Sequence, residues 1–252
     1  MAKAKAPAKK PDLKQEALLW EQGSAFVFGV DEAGRGCLAG PVSAGVSCWA
    51  PHTAAFSLAV DVRDSKLMTE PQRDAAFEPI LALTLASGLG FATAAEIDRW
   101  NILRATYLAV ARALEQALGA LAAKGIHPEP SLCAFLSDGN HPLAGNGRFF
   151  VCSPEYAHEF PLLCRLMAKP FREVCVVKGD SKVFSIASAS VLAKVNRDRH
   201  MKKVHHDFPA YDFSLHKGYG TPLHLRKLNE NGPCVEHRRS FAPISDTLKL
   251  FS

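Results

Sequence analysis

Three short apolar runs in this chain each lead into a carboxylate. Ser24 to Asp31 (SAFVFGVD) is followed by Glu32, Leu132 to Ser137 runs into Asp138, and Glu173 to Lys178 (EVCVVK) leads to Asp180. Runs of this length, bounded by turn residues, read as buried strands. The ends of core strands are where a rigid scaffold presents polar site residues. A compact sheet that takes up all three runs can bring their acidic ends together.

The segments between them support such a sheet. Pro41 to Trp49 reads as a second strand, paired hairpin-like with the first, and Leu85 to Thr93 as another; Leu58 to Val62 is a further candidate. Thr69 is a good N-cap for a helix through about Leu83, with Glu70 at its positive end and Pro71 in its first turn. Ala95 to about Lys124 has long helical periodicity and stops near Gly125. Ser181 to about His205 is a second long helix, and 222–230 and 243–248 are short ones. The expected fold is α/β: a mixed sheet flanked by helices, with a small helical C-terminal appendage. The expected organisation is a flexible basic tail over 1–20, one catalytic domain over 21–243 and a C-terminal tail over 244–252.

Composition narrows the class. Apolar residues make up 48% and charged residues 22%, which is globular and not disordered. The longest weakly polar run, Ile80 to Ala95, is too short and too glycine-broken to span a bilayer, and no secretory signal is evident, so the expected location is the cytoplasm. The seven cysteines form no Cys-x-x-Cys pair, which argues against a disulfide framework and a thiolate zinc site. Residues 15–193 carry a net −4, and residues 194–239 a net +5. An acidic centre beside a basic flank suits a site that holds metal and contacts phosphates. A solvated surface is the competing explanation.

Each carboxylate has a plain alternative role. Asp138 can bond the backbone of its own turn, and Asp180 can cap the helix that follows. Asp31 and Glu32 point to opposite faces of a regular strand, so sharing one site requires a twist or bulge. Taken together, four clustered carboxylates repel unless a cation neutralises them. Hard oxygen ligands select Mg²⁺ or Mn²⁺, and such ions support phosphodiester cleavage. Gly34-Arg35-Gly36 lacks dinucleotide-binding spacing, but it lets backbone approach a sugar–phosphate chain, with Arg35 on a phosphate. Tyr219, between two glycines, can stack on a sugar or base; a tyrosine packed on the core is the alternative. His205 and His206 read as solvated.

These residues lie in motifs that resemble ribonuclease HII. The matches are Asp31-Glu32-Ala33-Gly34-Arg35-Gly36 with Leu38-Ala39-Gly40-Pro41-Val42, then Asp64-Ser65-Lys66, Glu96-Ile97-Asp98 and Asn101-Ile102-Leu103. They continue through Asp138-Gly139-Asn140, Lys178-Gly179-Asp180-Ser181-Lys182, Leu192-Ala193-Lys194-Val195 and Arg197-Asp198-Arg199. His216-Lys217-Gly218-Tyr219-Gly220-Thr221 and His237-Arg238-Arg239-Ser240-Phe241-Ala242-Pro243 complete the series. The resemblance implies a ribonuclease H-like fold. It also implies metal-dependent cleavage of RNA in RNA–DNA hybrids and incision of duplex DNA 5′ to single ribonucleotides, leaving 3′-hydroxyl and 5′-phosphate ends. It assigns Asp31, Glu32, Asp138 and Asp180 to catalysis and to Mn²⁺ or Mg²⁺. Gly34, Arg35 and Gly36 are assigned to the ribose 2′-OH and backbone, and Tyr219 to the RNA–DNA junction. Lys66, Lys182, Lys194 and Arg197 are the further substrate-binding candidates, with Lys202 and Lys203 beside them on the duplex backbone. Cys37 stands where the family usually has Pro, Leu67 where a second Lys is common, and Ser137 where an apolar residue is usual. The related ribonuclease HIII usually carries a folded N-terminal domain; only about 25 residues precede the first strand here, which favours HII.

Two other classes compete: a non-catalytic nucleic-acid binding module, and another metal-dependent phosphoryl-transfer enzyme such as a resolvase. The module leaves the acidic strand ends unexplained. Leu248 to Phe251 resembles the end of bacterial sliding-clamp-binding peptides without their usual glutamine, so a clamp is a candidate partner, against a tail packed on its own domain. The chain is expected to act as a monomer, without a membrane.

Overall fold

A computed structural model describes residues 10–49, 51, 62–140, 142–143 and 148–249. The strand candidate at 58–62 falls almost wholly outside them, as do residues 1–9 of the expected tail and the last residues of the clamp-like end. Among the described residues five strands form one sheet: β1 (Phe26–Ala33), β2 (Val42–Trp49), β3 (Ala86–Ala92), β4 (Cys133–Asp138) and β5 (Arg172–Val176). Their order is β3-β2-β1-β4-β5. β1–β2 and β2–β3 pair antiparallel, whereas β1–β4 and β4–β5 pair parallel. The mixed α/β sheet flanked by helices is therefore the observed fold, and the parallel half places the ends of β1, β4 and β5 on one edge.

Two long helices cover the sheet. α3 (Ala94–Ala122) packs on one face, where Phe28, Val46, Leu108, Leu114 and Phe135 share the larger core. α6 (Phe184–Asp207) lies on the other, joined by α2 (Glu70–Leu83) around Trp49, Phe77 and Ile80. The approach of α6 is close. A Cβ on Gly29 would overlap the Ser185 carbonyl, and Ser47 Oγ donates to that carbonyl at 2.8 Å. α2 starts at the expected cap, Thr69, whose hydroxyl accepts from Gln72 N.

α3 is not one continuous helix. Asn101 has φ +68°, and its Oδ1 accepts from Leu103 N at 3.0 Å and Arg104 N at 3.2 Å. It thus caps a second helix inside the first, and asparagine tolerates this left-handed backbone better than most residues.

The expected 1–20 tail needs a larger correction. α1 (Lys14–Glu21) belongs to the domain, with Asp12 bridged to Val183 and Leu19 buried. Fully buried Glu16 accepts from Ser185 N at 2.7 Å in the first turn of α6, where a carboxylate meets the positive end of the helix.

Short helices complete the chain: α4 (Arg148–Val151), α5 (Pro161–Met167), α7 (Phe213–His216), α8 (Pro222–Asn231) and α9 (Ile244–Lys249). α8 and α9 are the expected appendage. It is tied down by Asp98 near the start of α3, which accepts from Arg239 N and Ser240 N, each at 2.9 Å. Among the described residues no helix is long and apolar enough to cross a membrane.

Candidate active site

Asp31 lies near the end of β1, Asp138 ends β4, and Asp180 follows β5 in a short turn ahead of α6. One carboxylate oxygen from each lies within 4.8 Å of the others. Asp31 and Asp180 are buried. Burial pushes the Asp31 carboxyl well above its usual range, and the neighbouring Glu32 and Asp138 charges push the same way. Asp180 is also raised, by burial and then by Asp138 and Asp64, with Lys66 opposing.

Neither plain alternative describes these residues. α6 is preceded by Val183 as cap residue, and the Ser185 amide goes to Glu16, so Asp180 does not cap that helix. Asp138 Oδ1 accepts from Gly179 N at 2.6 Å, which ties the ends of β4 and β5 together instead of closing its own turn.

Glu32 stands apart from this trio. The β1–β2 pairing runs unbroken through Asp31↔Gly45, Glu32↔Ala44 and Ala33↔Ser43, so the expected bulge is absent there. Glu32 faces the α3 side, in a cleft with Tyr107 and Asp138, and its Oε1 pairs with Arg35 Nη1 at 3.1 Å. Burial raises its carboxyl and Arg35 opposes that. Asp138, on the adjacent strand, is electrostatically felt by both Asp31 and Glu32.

The Gly34–Gly36 turn follows directly. Gly34 has φ +91°, and a Cβ there would overlap the Arg197 guanidinium; only glycine fits both demands. Arg35 is half-buried and Gly36 exposed. The turn is held from behind by Arg238, which no local sequence signal marks out. Arg238 is fully buried and donates to Gly34 O at 2.7 Å, Arg35 O at 2.8 Å and Gly40 O at 3.0 Å.

Arg197 requires a correction. It is fully buried and donates to Pro41 O, Lys217 O and Ala39 O at 2.8, 2.8 and 3.0 Å. Its guanidinium is committed to backbone carbonyls and cannot hold a duplex backbone. Lys194 is largely engaged too, with its Nζ 2.7 Å from Asp198 Oδ1 and 5.2 Å from the Tyr219 ring centroid. Lys202 pairs with Glu70 at 2.6 Å, and Lys203 is exposed.

Lys66 and Lys182 do reach the surface. The Lys66 ammonium is 3.5 Å from Asp180 and Lys182 Nζ donates to Val177 O at 2.6 Å. Tyr219 lies between the two expectations. Its side chain is 39% exposed, yet Lys194 and Arg197 lie over its ring and its hydroxyl meets the Cys37 thiol. His205, read as solvated, is half-buried.

Every donor in the trio is a carboxylate oxygen, a set that suits a hard divalent cation. The mixed sheet brings this acidic set to the ends of its parallel strands. The family model described as "Ribonuclease HII" matches residues 28–125 and 165–244. A curated ribonuclease HII from Burkholderia thailandensis is 39% identical over 250 residues, covering 97% of this chain and 99% of the relative. Two solved structures share the fold at 19% identity. One is the PCNA:RNase HII complex from Archaeoglobus fulgidus, with a TM-score of 0.60, covering 86% of this chain and 95% of that one. The other is Bst-RNase HIII in complex with Mn²⁺, with a TM-score of 0.65, covering 99% and 78%. The chain belongs to the ribonuclease HII family.

Proposed function

We propose that this enzyme cleaves the RNA strand of RNA–DNA hybrids and incises duplex DNA on the 5′ side of single embedded ribonucleotides, leaving 3′-hydroxyl and 5′-phosphate ends. The observation that carries this reading is the trio of carboxylate oxygens within 4.8 Å, whose Asp31 lies three residues before the Gly34–Gly36 turn that exposes Gly36 and presents Arg35. Asp31, Asp138 and Asp180, with Glu32 beside them, would hold Mg²⁺ or Mn²⁺. When bound, the cation supplies water activation and neutralises charge on the phosphate.

The chain's own residues do the positioning. The backbone of Gly34 and Gly36 approaches the ribose and its 2′-OH, which is the group that separates RNA from DNA. Arg35 takes a phosphate oxygen when it exchanges Glu32 for substrate. Lys66 and Lys182 add sequence-independent attraction for the strand. Tyr219 offers its exposed ring edge to the sugar that follows the ribonucleotide. Leu248 to Phe251 is proposed as a sliding-clamp contact. The Archaeoglobus fulgidus relative was solved with PCNA, which supports this reading. Unchanged clamp pull-down after deleting 248–252 would refute it.

The deciding experiment uses end-labelled duplex DNA carrying one ribonucleotide, an all-DNA control and a long hybrid, each with Mg²⁺, Mn²⁺ or EDTA. Metal-dependent cutting 5′ to the ribonucleotide, and none in the control, is expected. Cutting of the long hybrid alone would remove the junction role of Tyr219. Cutting of the all-DNA control would favour a general phosphodiesterase.

A further inference from the structure

Behind the Tyr219 loop lies a buried cluster that the proposed chemistry does not use. His224 and His237 are 0% and 1% exposed, and their Nε2 atoms are 3.1 Å apart. His237 Nδ1 lies 3.0 Å from Cys234 N and 3.1 Å from its Sγ. His224 Nδ1 lies 3.0 Å from the carbonyl oxygen of Tyr219. His216 stacks on His224 with ring centroids 4.2 Å apart.

The proton positions follow from the two ends. An amide can only donate, so Cys234 N–H donates to His237 Nδ1. The His237 proton is then on Nε2, from which it donates to His224 Nε2. The His224 proton is left on Nδ1. A carbonyl can only accept, and the Tyr219 carbonyl takes that proton. Both ends fix the same tautomers, and both rings are neutral. Burial supports this by pushing His224 and His237 down to about 4. His216 is fixed independently, donating from Nε2 to Tyr211 O at 2.7 Å and accepting from Gly218 N at 3.2 Å. Tyr219 N in turn donates to His216 O at 2.9 Å. The loop is thereby pinned on both sides of a tyrosine flanked by Gly218 and Gly220.

We infer that His224 and His237 are positioning residues for Tyr219, setting through the Cys234–His237–His224 chain of hydrogen bonds where its ring meets the nucleic acid. The inference rests on the reading of Tyr219 as the junction contact. Its physical basis is that small misplacement of a substrate-contacting group costs rate out of proportion to the energy of one hydrogen bond.

The test compares His224→Leu, which removes both bonds at similar size, with His224→Asn, whose amide can still donate to the Tyr219 carbonyl. Initial rates are measured with Mn²⁺ on the single-ribonucleotide duplex and on a long hybrid, with kcat and KM separated. His224→Leu is expected to lower kcat on the single-ribonucleotide duplex by about tenfold or more, with long-hybrid cleavage changing much less. His224→Asn should recover most of the loss. In a Tyr219→Ala background, His224→Leu should add nothing. A proportional loss on both substrates, or the same loss in that background, would overturn the inference and leave a role in the fold. If His224→Leu does not fold, His237→Leu, which breaks the chain between Cys234 and His224, takes its place, and equal loss on both substrates from it again overturns the inference. Should Tyr219→Ala leave junction incision intact, the Tyr219 reading fails and the inference falls with it. If Tyr219→Ala abolishes that incision while His224→Leu keeps it, the inference alone fails.

Discussion

Two buried polar clusters, one at the sheet edge and one behind the Tyr219 loop, are built on opposite terms. At the sheet edge, Asp31, Asp138 and Asp180 face one another with like charge, and the exposed Lys66 ammonium lies 3.5 Å from Asp180. Behind the Tyr219 loop, three histidines have each ring donor matched to an acceptor, and every ring is neutral. In the proposed function a cation completes the first cluster. The second is complete as it stands. A like-charged cluster stores repulsion that a divalent ion relieves, whereas a satisfied neutral network fixes a conformation. The sheet edge is thus suited to chemistry and the C-terminal cluster to holding the elements that read the substrate.

Breaking the first cluster should have the largest effect. Asp138→Asn keeps an oxygen for the Gly179 amide but removes a charge from the trio. Turnover is expected to fall by several orders of magnitude. Without metal, the melting temperature should hold or rise, because repulsion is relieved. Activity assays paired with thermal melts in EDTA check both. Full activity would remove Asp138 from the chemistry.

Next in size is the brace behind the turn. Arg238→Met leaves the carbonyls of Gly34, Arg35 and Gly40 without their donors. Unfolding by urea should show a loss of about 3 kcal/mol or more, since each buried group left unpaired costs about 1–3 kcal/mol. The same substitution would be harmless if the guanidinium were merely a surface charge.

A divalent ion should separate the two clusters directly. A ligand at 100 times its Kd stabilises by about 2.7 kcal/mol. Mg²⁺ or Mn²⁺ is expected to raise the melting temperature of the unaltered protein and to do little for Asp138→Asn. Equal shifts in both would place the ion elsewhere.

Acid should act on the second cluster. His224 and His237 are held down to about 4 in the fold, against an ordinary value near 6.5. Between those values the unfolded chain binds more protons, so this contribution to stability is complete above about 6.5 and is lost as pH falls toward 4. Melting at fixed ionic strength across that window should show the decline, and His224→Asn should flatten it. A slope unchanged by the substitution would assign the acid sensitivity to other groups.

The two clusters were unequally legible in the amino-acid sequence. Asp31, Asp138 and Asp180 each follow an apolar run, and parallel pairing of those runs is enough to bring such residues to one edge. The helix caps at Thr69 and the start of β1 were readable for the same local reason. The histidine chain was not, because Cys234, His237 and His224 meet only after α8 folds back. Arg197 shows the same limit from the other side. In a basic stretch an arginine reads as a phosphate contact, and nothing local reveals that three carbonyls from two distant segments will enclose it. α1 was lost in a lysine-rich opening because the purpose of Glu16, capping α6, lies 169 residues away. Asn101 lies in a recognisable motif, yet its work as an internal cap depends on its backbone turning left-handed.

The smallest expected effect concerns Lys66, whose ammonium lies 3.5 Å from Asp180 on a side chain that is 79% exposed. An exposed pair of this kind is worth about 0–1 kcal/mol. Lys66→Ala should therefore lower stability only slightly in EDTA. Its informative consequence is on the metal response. The ammonium partly neutralises the trio before any ion binds, so removing it should enlarge the stabilisation gained on adding Mg²⁺. Melts with and without the ion measure this directly, and the shift should be greater in Lys66→Ala than in the unaltered protein. A smaller shift would mean that Lys66 helps the ion bind instead of standing in for it. Measured alongside, hybrid binding in EDTA should weaken and become less salt-dependent if the lysine also contacts a phosphate.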